Sequence, residues 1–487
     1  MFSNSNILEN AIAVMRRVAL LATITAAAIA AAAGLILAFS SGSSALSNKS
    51  ADLSPSSLAN GNNNKPQDTA AGSNQQQQVA SNRSSVEFGD AINLTNNPND
   101  SVYGQVASAN DNVYVVWQES VRDPASGRSN NYDIFFKASQ DRGETFDGET
   151  SNLSRNAGFS EHPQLAASDV NNAVYVVWAD NTSGKREILF TKSDDAGRTF
   201  GKPRVLSSPG SASSYNQELA ASGSSVYLVW QEQATDGGNA IVFRASSNGG
   251  NTFADPVTIV QGNSSSVDSR SFPKVAAHGD SVYVAWSSVG SGKGNLQQQG
   301  LYFAKSSDSG STFSPAAKLN KGNEVVGEAQ VAAYGDDVHV IWGGLDAVTV
   351  ANLFYVRSSD GGDTFTDPSS ISSLKSPSNV ELAIMSEKPQ TGGDAGGGAD
   401  GLEASYSLHV AAQVQMSAGN EEIMFVPNLF GGNIDNNTST PPSNLSNNSG
   451  ISECPSISIS GNDVFVMWED LTTGNHEIFL ARGKIVS

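Results

Sequence analysis

The sequence predicts an all-β fold, a β-propeller of seven blades with four antiparallel strands each, and three observations support this prediction. A string typified by NVYVVWQE recurs six times and contains all six tryptophans, Trp117, Trp178, Trp230, Trp286, Trp342 and Trp468. A weaker seventh copy, YSLHVAAQ, occupies 406–413. A second string, typified by SDDAGRTF, follows the first in five copies that begin at Ser139, Ser193, Ser246, Ser306 and Ser358. Such repeats are typical of blades around an axis; six blades are the alternative.

The N-terminal region predicts a membrane segment. Residues 18–39, VALLATITAAAIAAAAGLILAF, carry no charge, and a helix of this length spans about 30 Å of hydrocarbon. Arg16 and Arg17 precede it, and positive flanks stay in the cytoplasm. We therefore expect residues 1–17 to be cytoplasmic and the protein to be a single-pass cell-membrane protein with its propeller outside. The alternative is a signal peptide cleaved before Leu46, which would release a secreted protein.

A linker and one large domain are predicted to follow this segment. Residues 40–85 are rich in Ser, Asn, Gln and Gly, so they bury too little apolar surface to offset the entropy of ordering. We expect a flexible tether there and the propeller over residues 86–487.

Each tryptophan string predicts a strand that is buried on both faces, because it is β-branched and aromatic without polar alternation. The last repeat, ending in HEIFLARGKIVS, supplies only three strands. The segment EFGDAINLTNN (87–97) resembles a fourth strand but precedes the first repeat. Pairing these two segments would complete the seventh blade and remove an exposed sheet edge.

The five copies of the second string resemble the Asp-box, or BNR repeat, of the sialidase-like superfamily. We predict that they are structural turns between the third and fourth strands, in which the Asp side chain accepts a hydrogen bond from backbone two residues on. The glycines of the turns permit a positive φ. The turn residues are Asp141, Asp195, Asn248, Asp308 and Asp360.

Composition excludes several classes of partner. The sequence has 28 Lys and Arg against 48 Asp and Glu, a formal net charge of −20, which argues against nucleic acid as a ligand. We expect membrane contact through the N-terminal helix only. One cysteine, Cys454, and five histidines without ligand spacing predict neither a metal site nor a cofactor.

The resemblance implies ligand binding on the face opposite the turns, and in sialidases three arginines bind the substrate carboxylate there. An early Arg-Ile-Pro motif is absent from this sequence, and only Arg155 and Arg270 fall in loops that enter a first strand. A third cation would have to come from Arg122 or Arg128 in the long loop of blade one. Acidic residues also follow the tryptophans. They either form a polar rim at the strand ends or act as general acid and base in catalysis. The catalytic candidates are Arg155, Arg270, Glu119 and Glu232.

Polar residues recur in the predicted first strands and are expected to line the axial channel, where they could bind a polar ligand such as a sugar. They are Gln105, Gln164, Lys274 and Gln330. The sequence therefore predicts a membrane-tethered extracellular propeller, a non-catalytic module that binds a carbohydrate or a cell-surface protein. The alternative function is that of an exo-α-sialidase-type glycoside hydrolase.

Overall fold

Twenty-nine strands make up the described part of the computed structural model, which lies within one compact unit, Asn82–Ser487. The described residues are 85–122, 129–170, 172–235, 237–261, 271–288, 300–321, 325–345, 351–371, 374, 376–386, 406–417, 419–429 and 441–486. The predicted cytoplasmic, membrane and linker segments lie outside them, apart from Ser85. Within the described residues, no helix has the length and hydropathy needed to span a bilayer.

In chain order the strands are β1 (Ser85–Phe88), β2 (Ile92–Asn93), β3 (Ser101–Ala109), β4 (Asn112–Arg122), β5 (Ser129–Ser139), β6 (Ser151–Asn152), β7 (Ser160–Ser168), β8 (Ala173–Asp180), β9 (Glu187–Ser193), β10 (Arg204–Val205), β11 (Ser213–Ser222), β12 (Ser225–Gln233), β13 (Asn239–Ser246), β14 (Val257–Gln261), β15 (Ser271–His278), β16 (Ser281–Ser288), β17 (Gly300–Ser306), β18 (Ala317–Lys318), β19 (Val325–Tyr334), β20 (Asp337–Leu345), β21 (Ala351–Ser358), β22 (Ser369–Ile371), β23 (Pro377–Ser386), β24 (Tyr406–Ser417), β25 (Asn420–Val426), β26 (Ser443–Asn444), β27 (Ser452–Ser460), β28 (Asp463–Asp470) and β29 (Glu477–Val486).

These strands form seven antiparallel sheets, the blades of a propeller. Blades one to six are β3–β6, β7–β10, β11–β14, β15–β18, β19–β22 and β23–β26, each with its strands in sequence order across the sheet. Blade seven has the order β27, β28, β29, β1, and β2 also pairs with β29. The first strands of neighbouring blades contact one another all the way round, from β3 to β27 and back to β3, so they surround the axis. The seven-bladed prediction is confirmed.

The outer strands of blade seven come from the other end of the propeller sequence. Residues 85–88 pair with 483–486, and Ile92 lies opposite Leu480. Phe88 packs edge-on against Phe425 of blade six, with ring centroids 5.0 Å apart, and Leu94 is buried beside Leu480. The start and end of the propeller sequence therefore share one sheet.

The second strand of each blade holds the core, because both of its faces are covered by neighbouring blades. Every residue of β8 and of β28 is buried, and none of the six tryptophans is more than 4% exposed. Trp230 of blade three, for example, packs with Tyr175 and Val177 of blade two. The apolar core is thus a series of layers between blades.

The five eight-residue turns join the third and fourth strands of blades one to five, and four of them use the same hydrogen bonds. In blade three, Asn248 Nδ2 instead donates to Thr252 Oγ1 at 2.8 Å. In blade two, Asp195 Oδ1 accepts from Ser193 Oγ (2.6 Å) and from the N–H of Thr199 (2.8 Å), and Asp195 Oδ2 accepts from Thr199 Oγ1 (2.6 Å). The prediction of a bond from the backbone two residues on is wrong. Ser193 Oγ accepts the N–H of Gly197 at 2.9 Å, and Asp195 accepts the N–H of Thr199, four residues on.

The turns also tie each blade to the preceding one. Phe200 packs edge-on against Phe136 of blade one, with ring centroids 4.8 Å apart. Gly197 has φ +77°, and a Cβ there would lie 2.6 Å from the Phe136 ring. The same aromatic contact recurs at Phe253, Phe313 and Phe365. These contacts give the turns a structural role.

The closure of blade seven can be tested by truncation. Removing residues 1–84 leaves every described strand intact and should not change the melting temperature. Removing residues 1–98 exposes the edge of β29 and deletes the half-buried side chain of Phe88 and the buried side chain of Leu94. We expect this to lower the free energy of unfolding by roughly 5 kcal/mol. Identical denaturation curves for the two truncations would contradict the closure.

Candidate binding site at the mouth of the axial channel

The topology gives the propeller two faces. The eight-residue turns and the hairpins between first and second strands lie on one face. The loops that enter the first strands and those that join second to third strands lie on the other, which we call the mouth face. In blade two, for example, the N–H of Asn181 in the second of these loops bonds Phe159 O in the first at 3.1 Å.

One polar residue from each first strand faces the channel at the same level. Each pairs with the residue of the second strand that precedes the tryptophan or its counterpart Ala412. Gln105, for example, pairs with Val116, and Lys274 pairs with Ala285. We call these residues the channel ring: Gln105, Gln164, Glu218, Lys274, Gln330, Glu381 and Ser456.

Four members of the channel ring were predicted from the sequence, whereas Glu218, Glu381 and Ser456 were not. A usable signal was present, since Glu218 stands before LAA just as Lys274 stands before VAA. Alignment on these small residues would have added Glu218. The pattern is weaker in blades six and seven, where LAI follows Glu381 and ISI follows Ser456.

Lys274 holds several blades together at the channel ring. Its Nζ lies 2.9 Å from Glu218 Oε2 and 4.0 Å from Glu381 Oε1, and Gln330 Nε2 donates to Glu381 Oε1 at 2.8 Å. Burial alone would lower the pKa of Lys274, but Glu218, Glu381 and Glu328 raise it above its ordinary value. Burial raises the pKa of Glu381 to about 7, with Lys274 opposing the rise. Lys274 is therefore cationic and bonded to acids of blades three and six.

Nearer the mouth, the first strands bulge. The pairing register shifts in β3, β7, β11, β19, β23 and β27, whereas β15 pairs without a shift. In five blades a residue other than glycine has a positive φ at the bulge, and we call these residues the bulge ring: Tyr103, His162, Asn216, Asn379 and Cys454. Bulges re-aim side chains and such backbone strain is common at functional sites, so this ring is the strongest geometric sign of a site.

The bulges are held by side chains of the preceding blade. The N–H of His162 bonds Gln118 Oε1 at 3.0 Å, that of Cys454 bonds Gln413 Oε1 at 3.3 Å, and that of Tyr103 bonds Glu469 Oε1 at 2.6 Å. Gln118, Gln413 and Glu469 occupy equivalent places, one residue after the tryptophan or its counterpart Ala412. The same string thus supplies the interblade core and the support of the mouth.

The acids two residues after the tryptophans accept hydrogen bonds from the indoles. Glu119 Oε2 lies 2.9 Å from Trp117 Nε1 and also accepts from Ser101 Oγ and Asn97 Nδ2. Glu232 Oε2 lies 3.0 Å from Trp230 Nε1. Asp180 and Asp470 make the same contact. Both predicted catalytic acids, Glu119 and Glu232, therefore hold loops to the strand ends.

Of the arginine candidates, Arg155 is the one whose side chain the structure describes. Arg155 is exposed in a turn with φ +45°, and its Nε donates to Asn152 O at 2.9 Å. Arg270 and Arg128 lie outside the described residues, as does the side chain of Arg122. Arg186, which the sequence analysis did not consider, reaches Glu161 on the mouth face at 2.7 Å.

Blade seven contributes a cluster of ionisable groups that the sequence analysis did not bring together. Glu453 and Glu469 pair directly across β27 and β28, and His476 lies 3.4 Å from Glu453 and 3.5 Å from Asp100. Burial, together with Glu453, raises the pKa of Glu469 to about 8. Glu453 raises the pKa of His476 against the effect of its burial. Among the described residues, no group of three or more His, Cys, Asp or Glu side chains is arranged to hold a metal ion.

Comparison with known proteins gives structural similarities only. No family profile matches the chain, and no curated protein is significantly similar to it. A protein of unknown function from Dyadobacter fermentans has 13% identity over 82% of this chain and 99% of its own, with a TM-score of 0.48. The NanB sialidase of Streptococcus pneumoniae has 10% identity over 79% of this chain and 68% of its own, with a TM-score of 0.42. Trypanosoma rangeli sialidase has 10% identity over 70% of this chain and 56% of its own, with a TM-score of 0.44. Similarities of this size carry no information on ligand or activity.

The role of Lys274 can be tested by removing its charge. Lys274→Met leaves Glu218 and Glu381 without their cation, so we expect the free energy of unfolding near pH 7 to fall by about 3–5 kcal/mol. The loss should grow as the pH rises through the raised pKa of Glu381, because the folded state then holds uncompensated carboxylates. Lys274→Met combined with Glu218→Gln should recover part of the stability. A single variant as stable as the wild type at pH 8 would contradict this role.

Proposed function

We propose that the protein is a membrane-tethered, extracellular propeller that binds a carbohydrate or a protein partner at the mouth of its channel, without sialidase activity. The observation that carries the proposal is the bulge ring above the channel ring. Strained residues of five blades surround one opening there, and the bulge at each of them redirects its side chain. Convergent polar and aromatic side chains in a concave setting are the usual composition of a ligand site.

The charges at the mouth favour a neutral or cationic ligand. The acidic side chains of Glu218, Glu381, Glu453 and Glu469 surround it, and the lysine of the channel ring, Lys274, is already paired. A carboxylate sugar would have to overcome this repulsion. The described arginines on this face are also occupied, since Arg186 pairs with Glu161 and Arg155 bonds its own turn. Fork-shaped guanidiniums that could bind a carboxylate in two bonds are the feature a sialidase site needs.

The tether is part of the same proposal and depends on the sequence. The uncharged segment 18–39 is long enough to span a bilayer, and Arg16 and Arg17 favour a cytoplasmic N-terminus. The polar linker would then hold the propeller away from the membrane surface.

Ligand binding at the mouth can be tested by removing bulge-ring side chains without changing the backbone. Tyr103→Gly and His162→Gly suit the purpose, because glycine adopts a positive φ without strain. On a glycan array, each variant should bind the wild-type ligand at least about tenfold more weakly, at a similar melting temperature. Asp195→Asn on the opposite face is the control and should bind normally. Binding that survives both glycine variants would place the ligand elsewhere.

The sialidase alternative can be tested directly. We expect the purified chain not to release the fluorophore from a fluorogenic sialoside above the rate without protein, because the described mouth lacks unpaired guanidiniums. Turnover that is abolished by Arg155→Ala or Arg270→Ala would reverse this assignment and make the protein a glycoside hydrolase.

The topology can be tested on intact cells. External protease should remove the propeller, and an antibody against residues 86–487 should label unpermeabilised cells. Protection of the propeller until lysis would refute an extracellular location. A mature N-terminus at Leu46 would replace the anchor with a cleaved signal.

A further inference from the structure

Blade seven differs from the other blades at one position of the mouth. One residue after the tryptophan position, blades one, three and six carry Gln118, Gln231 and Gln413, whereas blade seven carries Glu469. Gln118 and Gln413 accept the N–H of the next bulge just as Glu469 accepts that of Tyr103. A neutral amide is therefore sufficient for this structural contact. The fold does not require an ionisable group at residue 469.

A second carboxyl group stands directly opposite the first. Glu453 pairs with Glu469 across the two strands, and the Cβ atoms of such pairs lie about 4.5–5.5 Å apart. The Glu453 side chain is 32% exposed, so it is accessible from solvent, whereas Glu469 is buried. Two ionised carboxylates repel each other at this spacing. In agreement, burial and the charge of Glu453 raise the pKa of Glu469 to about 8.

The groups around Glu469 leave negative charge uncompensated. From β27 it faces Glu453 and the Cys454 thiol, and from β3 it faces the backbone of Tyr103. The cationic group of this cluster is His476, which lies between Glu453 and Asp100. One imidazolium shared by Glu453 and Asp100 leaves one negative charge beside the protonated carboxyl group of Glu469. An added cation would be attracted here.

A buried acceptor without a donor lies elsewhere on the mouth. Gln217 is 3% exposed, its Nε2 donates to His162 O, and its Oε1 has no hydrogen-bond partner among the described residues. The His162 ring is 4.2 Å from the ring of Tyr103, whose N–H is bound by Glu469. Buried amide oxygens are almost always paired. A ligand rich in N–H or O–H donors would supply the missing bond.

We propose that the mouth binds a ligand bearing a primary ammonium group, which donates hydrogen bonds to Glu453 and Glu469. The inference rests on the function proposed above and narrows its ligand to an amine-bearing carbohydrate. When the ammonium binds, Glu469 releases its proton to solvent, because a cation within about 4–6 Å favours the carboxylate form. Binding is therefore coupled to the release of up to one proton.

Calorimetry with two matched oligosaccharides tests this proposal. The full-length chain is titrated at about pH 6 with a glucosamine tetramer and with an N-acetylglucosamine tetramer, in two buffers of different ionisation enthalpy. We expect the free-amine tetramer to bind at least about tenfold more tightly, since charge-assisted bonds replace neutral ones. Its measured binding enthalpy should differ between the two buffers, because each buffer takes up the released proton with a different ionisation enthalpy.

Glu469→Gln is the decisive variant, because three other blades already place glutamine at this position. It should melt at or above the wild-type temperature, release no proton, and bind the two tetramers within about threefold of each other. Glu453→Gln should reduce the preference for the amine, whereas Asp195→Asn on the opposite face should leave it unchanged.

Each outcome decides the inference. Equal binding of the two tetramers, or a preference that survives Glu469→Gln, would overturn it and leave the binding function proposed above intact. Spermidine, used as a third probe, identifies the source of the ammonium. Binding of spermidine with proton release but of neither tetramer would keep the ammonium site and assign it to a ligand that is not a sugar. Failure of all three probes would overturn the inference, and the glycan array would then decide the proposed function separately.

Discussion

The structure depends on the packing of each blade's second strand between two neighbouring blades. A strand that is buried on both faces contributes to two apolar layers, and seven such strands make a closed series of layers in which no blade has a free face. Trp178 of blade two, for instance, lies in one layer with Tyr114 and Phe136 of blade one. Because the layers form a ring, the blade that contains the C-terminal strands also has to receive the N-terminal ones. The burial of the tryptophans and the pairing of β1 with β29 are thus consequences of one constraint.

The same strand also organises the polar part of the molecule. The tryptophan side chain enters the core, and its indole N–H is bound by the acid two residues on, as Glu119 binds that of Trp117. The residue between them points to the next blade and holds its bulge, as Gln118 does for His162. Where the acid is absent, as at Gly344, the indole N–H of Trp342 has no acceptor among the described residues. Three successive positions therefore serve the core, the loops and the mouth.

The two faces of the disc have different physical roles. On one face, the eight-residue turns use their polar groups internally, so that Ser139 and Thr145 hold the pKa of Asp141 down to about 2. Their phenylalanines and glycines pack against the preceding blade. On the mouth face, backbone strain, paired charges and a protonated carboxyl are concentrated around the axis. Buried charge of this kind is costly unless each group is paired, as Lys274 is with Glu218. The proposed ligand chemistry follows from this imbalance of charge.

By itself, the sequence determined the number of blades, the strands buried on both faces and the closing segment, because these depend on a local period and on apolar patterns within single strands. It also identified the turns as structural, although it misassigned the hydrogen bond of their aspartates. Only the tertiary structure decided which side chains meet at the axis. Lys274 contacts acids that lie 56 residues before it and more than a hundred after it. Bulges displace Asn379 and Cys454 from the spacing of an ideal strand. Neither the contacts between blades nor the raised pKa of Glu469 leaves a local pattern, because each depends on burial by a different repeat.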